Sequence, residues 1–273
     1  MLKYKTYIAC ILLMLFASTS CEEVMDVELK DFKEVIVIEA LMASGESPFT
    51  VKISKTTPYF NAPSGNPVSG AIVSVKTDKG NVKFFTESKP GLYELHKTHA
   101  LPGFWYTMEV EYEGVKYTAR SYMHEMVQIG DLGFTYFDGF GIFDSGYKVN
   151  TFIRDPVGIE NYYRLKYFVN GKVHTGLGNF SLYSDQLFDG KAIGLGQRSV
   201  VFKKTDTLTI ELQSIDKATY DYFSTLESIS GLDVLQSVSP SNPISNFDNG
   251  ALGYFSAYTT DSKTVVIEDY VDE

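Results

Sequence analysis

An alternation with a period of two residues restricts the fold of this chain more than any other pattern. Tyr106, Met108, Val110 and Tyr112 are apolar or aromatic, whereas the residues between them are polar or acidic. Successive side chains of a β-strand point to opposite faces, so the segment predicts a strand with one buried and one solvated face. Glu113-Gly114 then predicts a tight turn into a second alternating strand.

Short segments of this kind, separated by turn residues, fill the first part of the chain. About seven strands in roughly 90 residues are typical of an immunoglobulin-like β-sandwich. The order Gly91-x-Tyr93, Leu101-Pro102-Gly103 and Tyr106-x-Met108-x-Val110 also resembles transthyretin-like and carboxypeptidase-regulatory-like modules. The chain holds 19 Tyr and 19 Phe, which favours β structure. We therefore predict an immunoglobulin-like sandwich over residues 34–120.

The remaining residues, 121–273, predict a larger β domain with one helix. Asn170-Gly171 between two apolar runs is a strong hairpin signal. The helix is predicted at about 216–230, with Asp216 as N-cap and Gly231 as C-terminal stop. Its predicted core face consists of Thr219, Tyr222, Phe223, Leu226 and Ile229. Further predicted strands are Lys148 to Ile153, Tyr162 to Val169, Gly171 to Thr175, Ser199 to Lys203, Thr207 to Gln213, Ala251 to Thr259 and Thr264 to Ile267.

The fold class is thus predicted as mainly β. It consists of an N-terminal immunoglobulin-like or transthyretin-like sandwich, followed by a second β-sandwich-like domain with one helix.

Residues 1–20 predict a secretory signal peptide. Two lysines precede the apolar run Tyr7–Ala17, which is shorter than the roughly 20 residues that span a bilayer as a helix. Ser18 and Ser20 are small residues at −3 and −1, which suits ordinary signal-peptidase cleavage before Cys21. The same bond is cut in bacterial lipoproteins, where the cysteine is lipidated.

The cysteine content favours lipidation of Cys21. The chain has two cysteines, and Cys10 lies inside the signal, so export leaves one thiol that cannot form an internal disulfide. Ser18 departs from the usual lipobox, which has Leu at −3. Acyl chains on Cys21 would anchor the protein in a membrane. The alternative is a free or mispaired thiol.

Residues 21–33 predict an acidic tether behind this anchor. From Glu22 to Asp31 there are five carboxylates and one lysine, so the segment should stand off an anionic membrane. It resembles the acidic tag of surface-exposed Bacteroidota lipoproteins; a charged, soluble linker is the alternative. The net charge of the chain is −10, with no basic stripe, which argues against nucleic acid and against peripheral membrane binding.

Four segments together resemble one protein family. They are Ser54 to Asn61 (SKTTPYFN), Pro67 to Val75 (PVSGAIVSV), Ser184 to Lys191 (SDQLFDGK) and Asn242 to Thr259 (NPISNFDNGALGYFSAYT). The family is a group of Bacteroidota lipoproteins filed as a domain of unknown function, numbered forty-two forty-nine. Its members are typically encoded beside TonB-dependent outer-membrane receptors, so the resemblance implies such a receptor as partner. It implies no catalytic residue.

Catalytic and cofactor motifs are missing from the sequence. No G-x-S-x-G elbow, H-E-x-x-H pair, phosphate loop or dinucleotide fingerprint occurs. His96 and His99 have no third ligand nearby in sequence, and a turn explains them better than a metal. The segment Asp185 to Gly190 lacks the alternating oxygens of an EF-hand loop, so its aspartates are predicted to form turns. We expect no enzyme activity, no cofactor and no metal.

The segment Phe134 to Tyr147 (FTYFDGFGIFDSGY) is the candidate surface for a ligand or partner. Its aromatics and aspartates alternate with glycine too irregularly for a simple strand, and exposed aromatics beside carboxylates commonly bind sugars or protein edges. The alternative is a long hairpin that packs its rings on the sandwich. The candidate contact residues are Phe134, Tyr136, Phe137, Asp138, Phe140, Phe143 and Asp144.

These observations lead to three functional hypotheses. The first is a non-catalytic outer-membrane lipoprotein, exposed at the cell surface, that assists a TonB-dependent transporter in nutrient capture or import. The alternative is a structural or adhesive cell-surface lipoprotein. The third is a glycan hydrolase with paired carboxylates such as Asp138 and Asp144, whose separation a sequence cannot show. The nutrient, the receptor, the oligomeric state and a periplasmic rather than external location stay open.

Overall fold

The structure, a computed structural model, describes residues 34–46, 48–57, 66–141, 144–175, 179–197, 200–229 and 242–271. These residues form nineteen β-strands, one α-helix and two short 3-10 helices, so the protein is mainly β, as predicted. The predicted signal peptide, Cys21, the predicted acidic tether and Phe143 lie outside the described residues. No helix in the described ranges is long and apolar enough to cross a membrane.

Nine of the first eleven strands belong to two facing sheets. The strands are β1 (Ile36–Ala43), β2 (Gly45–Glu46), β3 (Phe49–Lys55), β4 (Asn66–Pro67), β5 (Ile72–Thr77), β6 (Val82–Phe84), β7 (Thr86–Lys89), β8 (Leu92–Leu95), β9 (His99–Ala100), β10 (Trp105–Tyr112) and β11 (Val115–Tyr122). One sheet has the order β1-β3-β8-β7, and the other has the order β11-β10-β5-β6. The other two strands, β2 and β9, pair in a separate two-stranded sheet.

The rest of the chain forms a second pair of facing sheets. Its elements are β12 (Ile129–Phe137), β13 (Gly146–Arg154), β14 (Tyr162–Val169), β15 (Lys172–Val173), β16 (Phe180–Ser184), β17 (Ala192–Gly196), β18 (Thr207–Ile215), helix α1 (Lys217–Ile229) and β19 (Leu252–Val266). The 3-10 helices are Asp185–Leu187 and Ile267–Tyr270. The sheet β12-β13-β17 faces the sheet that contains β14, β18 and β19, and this sheet continues through β19 into β1-β3-β8-β7 as one ten-stranded sheet.

Two hydrophobic clusters fill the two sandwiches. In the first, Ile38 and Val51 of one sheet pack with Met108 and Val110 of the other, and all four side chains are buried. In the second, Leu132 and Val149 belong to one sheet, and the opposite sheet contributes the residues Leu165, Ile210 and Leu212. The alternating face that includes Met108 and Val110 is therefore confirmed as a core face.

Strand β19 belongs to both sandwiches. Its first half pairs in parallel with β1, from Val37↔Leu252 to Ala43↔Tyr258. Its second half pairs antiparallel with β18, from Ser214↔Thr259 to Thr207↔Val266. The prediction of two separate strands here was wrong, because the chain changes neighbours without leaving the extended conformation. The proposed boundary between residues 120 and 121 stays a prediction.

Two predicted turns have the backbone geometry that their sequences require. Glu113 and Gly114 have φ of 51° and 77°, and Asn170 and Gly171 have φ of 52° and 77°. Two successive positive φ angles are the signature of a type I′ hairpin turn. The hairpins β10–β11 and β14–β15 are therefore confirmed.

Helix α1 begins as the sequence predicts. The Oδ1 of Asp216 accepts from the N–H of Thr219 at 2.9 Å, which makes Asp216 the N-cap. Thr219 and Phe223 are the fully buried residues of the helix, and the Phe223 ring lies against Tyr254 at 4.9 Å. Gly231, the predicted stop, lies outside the described residues.

The predicted strand Ser199 to Lys203 was wrong. Among its described residues only Phe202 pairs, through a single bridge to Tyr147. The side-chain oxygen of Gln197 accepts from the N–H of Val200 at 2.8 Å, so this N–H is not available to a neighbouring strand. A second turn follows, because the N–H of Lys203 donates to the carboxylate of Asp206 at 2.9 Å.

Candidate interaction surface and groove

The aromatic segment predicted as a partner surface forms a regular hairpin. Strands β12 and β13 pair with Phe134 opposite Val149, Tyr136 opposite Tyr147 and Phe137 opposite Gly146. The prediction that this segment is too irregular for a strand was wrong for Phe134 to Phe137, which form the end of β12. The glycines of the segment all follow Phe137, so they do not interrupt this strand. The paired strands of the alternative interpretation are observed, but of its rings Phe134 and Tyr147 pack against the core whereas Tyr136 and Phe140 are exposed.

The base of this hairpin is fixed in the second core. Phe134 is partly buried, packs against the core cluster and meets the ring of Tyr270 edge-on at 5.6 Å. Tyr136 meets Tyr147 edge-on at 5.2 Å, yet 55% of its surface stays exposed. Phe134 is therefore a packing residue, whereas Tyr136 marks the point where the hairpin leaves the core.

The far end of the hairpin is exposed and mixes an aromatic ring with carboxylates. Phe140 is 82% exposed, and Asp138 and Asp144 are exposed on either side of it in the sequence. Phe137 lies under the ammonium of Lys148, whose Nζ is 4.0 Å from the ring centroid. The name hairpin tip is used from here on for the exposed residues Tyr136, Asp138, Phe140 and Asp144.

A groove that sequence reasoning missed lies between strand β11 and the start of helix α1. Its volume is about 630 Å³. Trp105, the single tryptophan of the chain, is 41% exposed there, and the guanidinium of Arg120 lies over its ring at 4.8 Å. The other lining residues are Thr118, Ala119, Asp216, Lys217, Ala218, Asp221, Asn246 and Asp248.

Hydrogen bonds between distant segments hold the groove in shape. The carboxylate of Asp216 accepts from the N–H of Tyr122 at 3.2 Å in addition to capping the helix. Asp248 and Thr118 bond reciprocally: the N–H of Thr118 donates to the carboxylate at 2.6 Å, and the N–H of Asp248 donates to the Thr118 carbonyl at 3.0 Å. An aromatic ring beside fixed cations and carboxylates can hold a polar ligand with an apolar face. The lone tryptophan was the available sequence signal.

Neither carboxylate of the hypothetical hydrolase pair lines this groove. Asp138 and Asp144 are both exposed at the hairpin tip. They are also absent from a smaller cavity of about 160 Å³, the lining of which includes Lys76, Lys83 and His99. The structure thus brings these two aspartates to one end of the hairpin, outside these two cavities.

The histidines occupy separate places in the described structure. His96 Nε2 lies 3.2 Å from the carboxylate of Glu94, and both groups are accessible to solvent. His124 meets Tyr122 edge-on at 4.9 Å, and burial lowers the pKa of its imidazole. His99 begins strand β9.

Three aspartates come together between β13 and β17. Carboxylate oxygens of Asp155, Asp185 and Asp189 lie within 4.8 Å of one another, and the first two residues are buried. Burial, with the neighbouring carboxylates, raises the pKa of Asp185. Hard oxygen ligands of this kind could hold a calcium ion. Sequence reasoning considered the segment Asp185 to Gly190 alone and missed Asp155.

Each of these aspartates already accepts hydrogen bonds from the protein. Asp155 accepts from the hydroxyl of Tyr163 and from the N–H of Gly190 at 2.9 Å. The N–H of Asn161 donates to Asp185 at 2.9 Å. Asp189 accepts from the N–H of Gly158 at 2.7 Å. The cluster therefore also fastens two loops to each other, with or without an ion.

Comparison with known proteins identifies a family. A solved two-domain fibronectin type III segment from chicken tenascin is similar at 11% identity over 86% of this chain and 99% of that chain, with a TM-score of 0.23, a likeness too weak to support an inference. No functionally curated protein matches the chain. The family described as a domain of unknown function, DUF4249, matches residues 22–264. The chain therefore belongs to the DUF4249 family.

Proposed function

We propose that this protein is a non-catalytic, lipid-anchored outer-membrane protein that docks on a TonB-dependent transporter and assists nutrient capture or import. Two sequence predictions and the family resemblance support the proposal. The predicted signal peptide ends before Cys21, the predicted tether behind it is acidic, and the resemblance implies a receptor encoded nearby. Exposure at the cell surface follows from the tether, and the lipid on Cys21 supplies the attachment.

The observation that carries the proposal is the exposure of the hairpin tip. Tyr136 and Phe140 expose 55% and 82% of their surface next to the carboxylates of Asp138 and Asp144. Tyrosine is enriched among the residues that dominate binding energy at protein interfaces, and aromatic rings in general are enriched there. The tip therefore has the composition of a docking surface for a protein.

The construction of the hairpin supports the same function. Leu132, Phe134 and Val149 fix its base in the second core, and the edge contact of Phe134 with Tyr270 adds to this packing. A surface held on a paired strand loses less conformational entropy on binding than a mobile loop does. A partner can thus dock on the tip without first ordering its base.

The test is recovery of a receptor from native outer membranes under inducing conditions. Full-length wild type is compared with a Tyr136→Ser, Phe140→Ser double variant. Leu187→Ser is the matched control, because Leu187 is 88% exposed but lies outside the hairpin. We expect wild type and Leu187→Ser to recover a TonB-dependent receptor and the double variant to lose most of it.

The same experiment separates the proposal from its alternative. Recovery of no receptor by the wild type would contradict docking on a transporter. A deletion strain that imports normally but loses adhesion or envelope integrity would instead favour a structural or adhesive surface protein.

A further inference from the structure

We infer that the outer edge of strand β12, over Leu132–Phe137, binds an extended segment of the partner protein. This segment has an uncharged centre and carries lysine or arginine at both of its ends. The inference rests on the proposed docking function and specifies how the partner binds: the segment adds one strand to the sheet β12-β13-β17.

The hydrogen bonding of Tyr147 shows which backbone groups of β12 face outward. Its N–H donates to Phe202 O and its carbonyl accepts from Phe202 N, both at 2.9 Å, so these groups point away from β12. Tyr136 is opposite Tyr147, and in an antiparallel pair such a position is non-hydrogen-bonded for both residues. The N–H and C=O of Tyr136 therefore point to the outer edge.

The same alternation applies one pair further along the hairpin. The carbonyl of Val149 accepts from the N–H of Gln197 at 3.0 Å and so also points away from β12. Phe134, which is opposite Val149, then directs its N–H and C=O outward. Within the described part of the chain, no backbone or side-chain group bonds these edge atoms of Phe134 and Tyr136.

The edge of strand β11 is closed by side chains. Along β11, the edge groups of Lys116, Thr118 and Tyr122 bond to Asn249, Asp248 and Asp216, respectively. The start of β12 is closed in the same way: the N–H of Ile129 donates to Asp261 at 2.8 Å, and Lys263 Nζ donates to the Gly130 carbonyl at 2.7 Å. These side-chain bonds stop before Leu132.

The bare part of β12 also lacks the residues that usually protect an edge. Leu132–Phe137 reads LGFTYF, without charge or proline. Three shorter edge strands carry such residues: β4 contains Pro67, β6 contains Lys83 and β7 contains Glu87 and Lys89. An exposed edge of this composition can pair with a strand of another chain. Proteins normally protect such an edge unless the pairing has a function.

The charges at the two ends of the bare segment indicate the occupant. Asp131 precedes it and Asp138 follows it, and both are exposed. A second copy that paired antiparallel with Phe134 opposite Tyr136 would place its Asp138 opposite Leu132 and next to Asp131, and like charges so close together destabilise a pair. A partner segment with a cation at each end would instead form an attractive pair at both positions.

Amide hydrogen exchange of the full-length chain tests the inference with a defined probe. The probe is the blocked peptide Lys-Thr-Val-Thr-Val-Thr-Val-Lys at millimolar concentration, in which the two lysines are seven positions apart like Asp131 and Asp138, and its control has Glu in place of both lysines. We expect the lysine peptide to slow exchange of the Tyr136 and Phe134 amides by about tenfold or more. The amide of Thr135, which is bonded inside the hairpin, should not change. An unaltered Tyr136 amide, or equal protection by the glutamate peptide, would overturn the inference.

Two variants at one position separate the backbone group from the ring. Tyr136→Pro removes the outward N–H without breaking the ladder to β13, because proline is tolerated where an edge N–H faces solvent. Tyr136→Ala removes the ring and keeps the N–H. We expect Tyr136→Pro to lose peptide binding and receptor recovery and Tyr136→Ala to lose much less. If wild type and Tyr136→Pro recover the receptor equally, strand addition is wrong but docking on the receptor stands. If wild type recovers no receptor, the proposed function is wrong whatever the peptide does.

Discussion

Gly253 of β19 lies directly against the backbone of Ile38 in β1. A Cβ atom at Gly253 would overlap the carbonyl oxygen of Ile38 and would stand 2.7 Å from its carbonyl carbon. Gly253 also has φ of +98°, which side chains rarely adopt. The strand shared by both sandwiches can therefore enter the parallel pair because this position has no side chain.

Gly253→Ala should destabilise the protein by roughly 3 to 5 kcal/mol, since strain from a positive φ adds to a backbone clash. Gly80→Ala is the matched control, because Gly80 has φ of +101° and an added methyl group there would meet no atom within 4 Å. The control should lose only about 1 to 2 kcal/mol. Urea unfolding measures the free energy of unfolding of both variants. Equal losses of stability in the two variants would show that the contact with Ile38 is unimportant.

Asp216→Ala should destabilise the protein by about 2 to 4 kcal/mol, because it removes a helix cap and leaves the N–H of Tyr122 without its acceptor. Asp216→Asn keeps a side-chain oxygen that caps well, so its loss should stay below about 1 kcal/mol. Thermal unfolding followed by circular dichroism compares the two variants. Similar losses for both would indicate that the charge of Asp216, rather than its oxygen, stabilises the fold.

Asp185 gives a pH dependence of definite sign. Its folded-state pKa is raised by burial, so the folded state binds the proton more tightly than the unfolded state does. Asp185 therefore favours the folded state most at a pH below the pKa that it has in the unfolded chain. This contribution is lost as the pH rises through its higher pKa in the folded state. Asp185→Asn keeps an acceptor for the N–H of Asn161 and should be at least as stable as wild type at neutral pH, with the difference vanishing in acid.

Urea unfolding from acid to neutral pH, with a chelator present, measures this effect. Asp189→Asn is the control at an exposed member of the same cluster. A constant loss of stability in Asp185→Asn at every pH would contradict the assigned sign.

Cys21→Ser should release the protein from membranes, because the proposed lipid is its attachment. Fractionation after a high-salt wash measures the release, and wild type in parallel is the control. A variant that stays in the membrane fraction would show that lipidation is not the anchor.

Local sequence patterns predicted local structure well. Asn170-Gly171 and Glu113-Gly114 specify type I′ turns by themselves, and Asp216 specifies a helix start, because a few neighbouring atoms decide each conformation. The residues of the candidate surface also lie together, since Tyr136 and Phe140 are close in sequence.

Features made by distant segments could not be predicted in this way. The parallel pairing of β1 with β19 joins the first and the last strand of the described residues, and no local pattern specifies a parallel neighbour. The groove joins Trp105 to Asp216, and the acidic cluster joins Asp155 to Asp189. The bare edge of β12 depends on which neighbours bond the opposite strand, which alternation alone does not reveal.

The most direct test of docking on a transporter is crosslinking in living cells under inducing conditions. A photoreactive phenylalanine analogue replaces Phe140 in the hairpin tip, and a second strain carries it at Leu187, which is equally exposed. We predict a crosslink from position 140 to a TonB-dependent outer-membrane receptor and none from position 187. Equal crosslinking from both positions, or no receptor crosslink from position 140, would contradict docking through the hairpin tip.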